Sequence, residues 1–344
     1  MIPACNSENI KKMIKRGLFL LLLTASVLLS CVTEKKSTSV AAGPGESAKD
    51  YLTIDEALSA LKIKEAAFQP ARFPTVEQKL PRSFSPPYRS IKPLKLFDNL
   101  YFTGTATVGS YIIDTGEGLV MLDTGVGDED AAMMVEDMKK LGLDPSRIKV
   151  IFISHEHFDH YGGVQYLKKN VCPDALVGMS LTGWNMLQTV PPEWAYIGPR
   201  PQSVDIYLTD GMKIKIGSLL ILFVSTPGHS PGCMSFIFPV TDNGERHVVG
   251  IMGGSAVWPT QTETRLYKSS VEYFRAFAAA EGCDVGLVFH PRESDFAALR
   301  TRKPGDPNPL VIGKDDFDRV YLEKFRDRYR KMLESGGLPP YPQI

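Results

Sequence analysis

Three of the chain's six histidines fall within Ile153–Gly163, ISHEHFDHYGG, with Glu156 and Asp159 among them. The segment ends a run, KVIFIS from Lys149 to Ser154, whose apolar and β-branched residues predict a buried strand. His155 and His157 are two apart, so on extended chain both point to one side and both can ligate one ion. Asp159 and His160 arrive as the backbone turns into a helix, and ligands aimed differently suit a second ion beside the first. Gly162 and Gly163 permit a tight approach. Neutral imidazole is the commonest ligand for such an ion, and a carboxylate is its hard partner.

Two further strands end in the same way. LFVSTPGHSPG delivers His229 after a Thr-Pro-Gly turn, and VGLVFHP delivers His290 directly. A single histidine is more often structural than ligating. Five of six at strand ends is a different matter, because binding residues gather where a rigid scaffold opens into loops. His247, in NGERHV, reads as a surface turn residue.

The remaining text is β-rich in two stretches. LYFTGTATVGSYIIDTGEGLVMLDTG breaks at TGEG, a hairpin turn. DEDAAMMVEDMKKLGL predicts a helix with Met134, Met138 and Leu141 on one face and Gly142 at its stop. SVDIYLTDGMKIKIGSLLILFVST reads as strands turning at TDG and IGS, and CMSFIFPV pairs with HVVGIMGG across TDNGER. The tail sets Phe317, Tyr321, Phe325, Tyr329 and Met332 at helical spacing, a helix packed on the core. Two β-rich halves, each with helices, predict two sheets face to face with helices outside. Lys+Arg and Asp+Glu balance at 39 each, which gives no support for a nucleic-acid partner.

The N-terminus reads as a leader. Lys11, Lys12, Lys15 and Arg16 precede GLFLLLLTASVLLS, an apolar run shorter than a spanning helix wants, and Met13 is an alternative start. LLSC, Leu28–Cys31, resembles the bacterial lipobox, which implies a lipid anchor on Cys31 and export to the periplasmic side of a membrane. The organisation expected is a signal peptide over 1–30, a flexible tether over 31–50, an extension over 51–92 and one domain over 93–344. Cys172, Cys233 and Cys283 remain beyond the anchor, an odd number and no disulfide framework; at most one bridge can form among them.

His-x-His-x-Asp-His, followed by Gly-His and a late histidine, resembles the metallo-β-lactamase superfamily. The resemblance implies an α/β fold, an αββα sandwich with a di-zinc site at one edge. LDTG at Leu122–Gly125 resembles the first family motif, whose Asp123 braces the metal loop by hydrogen bonds. TPGHSPG and the spacing of Cys283 to His290 resemble the third subclass of β-lactamases. That likeness implies one zinc on His155, His157 and His229 and a second on Asp159, His160 and His290. It implies that Asp159 orients the attacking hydroxide and that Ser255, in IMGGSAVWP, hydrogen-bonds a second water or the substrate. The substrate implied is a small molecule, a β-lactam. The alternatives are another ester, lactone or thioester, and a non-catalytic zinc-binding lipoprotein.

Three departures matter. Val257 stands where the third subclass often has a second serine, and Trp258 where the first has a lysine. Cys283 lacks its usual partner in the tail. Arg200, Arg265 and Arg292 are candidates for the missing cation, and the loop from Trp184 to Pro201 is expected over the cleft.

Overall fold

The computed structural model describes residues 49–61, 90–189, 200–257 and 261–335. The leader, Cys31, the tether, most of the proline-rich stretch, Trp258 and the middle of the Trp184–Pro201 loop lie outside them. Among the described residues no helix is long and apolar enough to cross a membrane.

The chain begins with β1 (Leu52–Thr53) and α1 (Ile54–Leu61). The first β-rich stretch gives β2 (Leu94–Phe97), β3 (Leu100–Gly104), β4 (Gly109–Asp114) and β5 (Leu119–Leu122). Then follow α2 (Asp128–Lys140), β6 (Ile148–Phe152), α3 (Phe158–Tyr161), α4 (Val164–Asn170), β7 (Leu176–Ser180), α5 (Leu181–Thr189) and β8 (Ile206–Leu208). The second stretch gives β9 (Lys213–Ile216), β10 (Leu219–Ser225), β11 (Met234–Asp242) and β12 (Glu245–Ile251). The chain closes with α6 (Gln261–Glu281), β13 (Val285–Leu287), a π-turn over Phe317–Leu322 and α7 (Glu323–Glu334).

Two sheets form, ordered β2-β3-β4-β5-β6-β7-β8 and β1-β9-β10-β11-β12-β13. The halves are not cleanly divided. β8 joins the first sheet beside β7, and β1 crosses to the edge of the second beside β9.

Strand periodicity builds the layers. Val120, Leu122, Val150 and Phe152 face an inner core shared with Ile221, Phe223, Phe236 and Phe238 of the second sheet. Their neighbours Leu119, Met121, Ile151 and Ile153 face outward to Met134 and Met138 of α2 and Leu167 of α4. On the far side Leu222, Val224 and Val248 pack on Tyr267, Val271 and Phe274 of α6 and on Phe317, Tyr321 and Phe325 of the tail. The result is the αββα sandwich. Turns and the helix stop read from sequence are present: Gly142, φ +78°, follows α2, and Asn243-Gly244, both with positive φ, joins β11 to β12. The tail departs from regular helical spacing at the π-turn, whose extra residue lets the consecutive Tyr321 and Leu322 both turn inward.

His247 is not a surface turn residue. It lies in β12, half-buried, with Nδ1 2.8 Å from Asp284 Oδ2. Its strand runs beside β13, which brings Asp284 to it. Cys172, Cys233 and Cys283 are all buried free thiols.

Candidate metal centre

The site gathers at the C-terminal ends of β5, β6, β10, β12 and β13. β5 ends into Asp123, whose φ of +58° marks a sharp turn at full burial. Its carboxylate accepts from Ser154 N–H and Ser154 Oγ–H, each at 2.7 Å, and from His160 Nδ1 at 2.6 Å. Burial drives the Asp123 carboxyl well above the usual range, against the pull of the Ser154 donors. Asp123 therefore braces the loop that follows β6 and is absent from both ligand groups.

Each ring can be given a tautomer from what it faces. A carbonyl only accepts, so a ring nitrogen bonded to one carries the proton. His229 Nδ1 donates to Ala256 O at 2.7 Å, and His290 Nδ1 donates to Thr107 O. Because the Ser154 hydroxyl proton goes to Asp123, Ser154 Oγ accepts from His155 Nδ1 at 3.0 Å. His160 Nδ1 is held by Asp123. Four Nε2 lone pairs are thereby left facing inward.

Those atoms converge. His155 Nε2 lies 3.1 Å from His157 Nδ1 and 3.1 Å from His229 Nε2. Asp159 Oδ2 lies 3.6 Å from His160 Nε2 and 4.0 Å from His290 Nε2. Each set of three has all its donor atoms within 4.8 Å of one another. The groups adjoin, with the His155 and His160 rings 3.8 Å apart. Unshared pairs packed this closely repel unless a cation lies between them. His160 Nε2 is also buried with no hydrogen-bond partner, a group that protein alone does not satisfy. Burial, helped by the neighbouring rings, holds His155 and His160 well below the ordinary histidine range and His157 at about 3. His229 is held at about 4, chiefly by burial. Neutral imidazoles are the ligating form. The donor set of four nitrogens of fixed tautomer, a fifth from His157 and one carboxylate fits two zinc ions.

A family model described as the metallo-beta-lactamase superfamily matches residues 104–242. The chain carries a metallo-beta-lactamase superfamily domain. The fold is like that of a subclass B3 metallo-beta-lactamase of Bradyrhizobium japonicum, at 26% identity, covering 72% of this chain and 97% of that one, with a TM-score of 0.59. Among curated proteins, a probable metallo-hydrolase of Burkholderia pseudomallei is 27% identical over 41% of this chain. An atrochrysone carboxyl ACP thioesterase of Aspergillus fumigatus is 29% identical over 37% of it. This chain spans 50% of the length of the former and 35% of the latter.

The six residues singled out from sequence fall into two groups of three, His155, His157, His229 and Asp159, His160, His290; five lie within the matched residues and His290 follows them. Ser255 lies half-buried after β12, one residue before the carbonyl that holds His229. The backbone there is tight: a Cβ on Gly254 would meet His229 Cβ at 2.2 Å and its ring at 2.3 Å. Val257 packs on the outer core of α6 and the tail and offers no polar group. Arg265 and Arg292 are exposed. Arg200 donates to Leu187 O and bonds the Tyr161 hydroxyl, so it braces the Trp184–Pro201 loop.

Two residues escape sequence reasoning. Glu156, between two ligands, points the opposite way and accepts from Ser230 Oγ at 2.9 Å and Gly232 N–H at 3.0 Å. It joins the β6 loop to the His229 loop. The alternation that aims His155 and His157 together also aims Glu156 away. Arg328 of α7 donates to Ser255 O, a contact with no local sequence signal.

Proposed function

We propose that the chain is a zinc-dependent hydrolase that opens the β-lactam ring of antibiotics. The observation that carries the reading is the convergence of six donor atoms in two adjoining groups. A likeness that spans 97% of a subclass B3 enzyme supports it. His155, His157 and His229 would hold one zinc, and Asp159, His160 and His290 the other. Bound zinc supplies a Lewis acid for the amide carbonyl and a source of nucleophilic hydroxide near neutral pH.

The chain's own residues set the stage for that chemistry. Asp123, Ala256 and Thr107 fix the tautomers, and burial keeps the rings unprotonated. Asp159 orients the attacking water, and Ser255 hydrogen-bonds a second water or the substrate. Because Ser255 is not a ligand in this reading, Ser255→Ala keeps both metals.

A second reading, hydrolysis of another ester, lactone or thioester, is favoured by Val257. Its packing into the outer core leaves no hydroxyl where the third subclass grips the substrate carboxylate. The thioesterase among the relatives fits this reading. The deciding experiment is kcat/KM for penicillins, cephalosporins and carbapenems beside lactones and thioesters, with zinc-loaded protein. Chelation abolishes turnover and zinc restores it. Good lactone or thioester turnover with every β-lactam untouched would overturn the first reading in favour of the second. A zinc count near one, with no turnover, would support the binding lipoprotein instead.

The leader and the LLSC motif support an exported location. We propose a lipid anchor on Cys31 and a periplasmic domain that meets antibiotics near their targets. Cys31→Ser should abolish acyl labelling, and a wild-type protein that is soluble and unlabelled sinks the idea.

A further inference from the structure

A β-lactam carries a carboxylate beside its reacting amide, and Arg328 is a cation in direct contact with the segment that carries Ser255. Its Nη1 donates to Ser255 O, while the next carbonyl, Ala256 O, accepts from His229 Nδ1 at 2.7 Å. A single peptide unit therefore separates a metal-site histidine's partner from a guanidinium.

The other arginines of this tail are paired with carboxylates. Arg319 meets Asp316 at 2.5 Å, Arg326 meets Asp318 at 2.6 Å and Glu272 at 2.8 Å, and Arg330 meets Glu323. Among the described residues Arg328 has no carboxylate partner. It is exposed, and its guanidinium rests 5.5 Å from the Phe325 ring centroid. One bond to a neutral carbonyl leaves its charge uncompensated and most of its five N–H donors free.

We propose that Arg328, with the hydroxyl of the Ser255 it already holds, forms an anion subsite that receives the carboxylate of the substrate. It takes the place left by Val257, supplying from the C-terminal helix what relatives supply from the loop itself. The inference rests on the β-lactam reading for its substrate, but its test needs no turnover.

The zinc-loaded full chain is titrated calorimetrically with 3-mercaptopropionate and with its neutral isostere, 3-mercaptopropionamide. The wild type should prefer the acid by about tenfold or more, the size of a charge-assisted hydrogen bond. Arg328→Ala and Arg328→Gln should lose that preference with affinity for the amide unchanged, and Arg328→Lys should keep part of it. Arg328→Gln retains a donor for Ser255 O and serves if Arg328→Ala does not fold. Equal loss for both probes would make Arg328 a loop staple and overturn the proposal, as would a preference that survives in both variants. A wild type that opens no β-lactam but shows the Arg328-dependent preference defeats the function reading alone.

Discussion

The two halves of the metal centre are built in opposite ways. On the first sheet His155, His157, Asp159 and His160 come from one short segment, and a buried carboxylate, Asp123, orders them through Ser154 and His160. On the second sheet His229 and His290 arrive singly, and main-chain carbonyls of Ala256 and Thr107 turn their rings. A carboxylate brace requires one residue type at one place. A carbonyl brace can be supplied by any residue, provided the tertiary fold brings it there. The first half is therefore fragile to side-chain change and open to titration, and the second is vulnerable only through packing.

The largest expected effect breaks the first half. Asp123→Ala leaves three buried donors, two on Ser154 and one on His160, without an acceptor. At about 1–3 kcal/mol for each unpaired group, the metal-free protein should lose at least about 3 kcal/mol in urea unfolding. Zinc affinity of the group containing His160 should fall about 10- to 100-fold. Ala256→Ser, which changes a side chain but not the carbonyl facing His229, should alter neither. Comparable damage from both substitutions would erase the distinction.

The same distinction explains what the sequence reveals. Ligands and the carboxylate brace are chemical types, so HEHFDH, LDTG and the isolated His229 and His290 could be read directly, and two β-rich halves, each with helices, predicted the two sheets. The carbonyl braces are silent in sequence. So is the exchange of β1 and β8 between sheets, because edge pairing depends on where the chain returns. Arg328 was indistinguishable from the other arginines of an amphipathic helix until Ser255 O lay against it. His247 was misread because a strand residue near a turn looks solvent-facing unless its partner, Asp284, is known to be adjacent.

A second prediction concerns titration. Asp130, at the start of α2, is buried and accepts from Val126 N–H at 3.1 Å, on the loop that Asp123 leads into. Burial raises its carboxyl from 3.8 to about 6. The folded state thus holds the proton more tightly than the unfolded one, and stability from this group falls as pH rises from about 4 through about 6. That difference corresponds to at most about 3 kcal/mol. Asp130→Asn keeps an acceptor for Val126 and removes the charge. It should be more stable than wild type at pH 7 by up to that amount and nearly equal at pH 4. A stability difference that is the same at both pH values would remove Asp130 as the source.

The smallest effect sharpens the second half, where no carboxylate takes part. Tyr321 is fully buried beneath the ends of β12 and β13, which run parallel with Ile251 beside Leu287. Its hydroxyl accepts from Met252 N–H at 3.0 Å and donates to Leu287 O at 2.7 Å. One strand leads to Ser255 and Ala256, the other to His290, so a single oxygen ties together the two segments that place the ligands of this sheet. Burial pushes its phenol further up from an already high value, so the group stays neutral and its contribution does not vary across the physiological range. Tyr321→Phe keeps the ring among Phe317 and Phe325 but leaves one N–H and one carbonyl unpaired. The expected cost is about 2 kcal/mol in urea unfolding, equal at pH 5 and pH 7.5. Zinc affinity should weaken severalfold at both groups, since His229 and His290 each lose part of their support. If both zincs bind as in wild type while stability falls, Tyr321 serves the core alone. The second half of the site would then depend on its carbonyls without help from the tail.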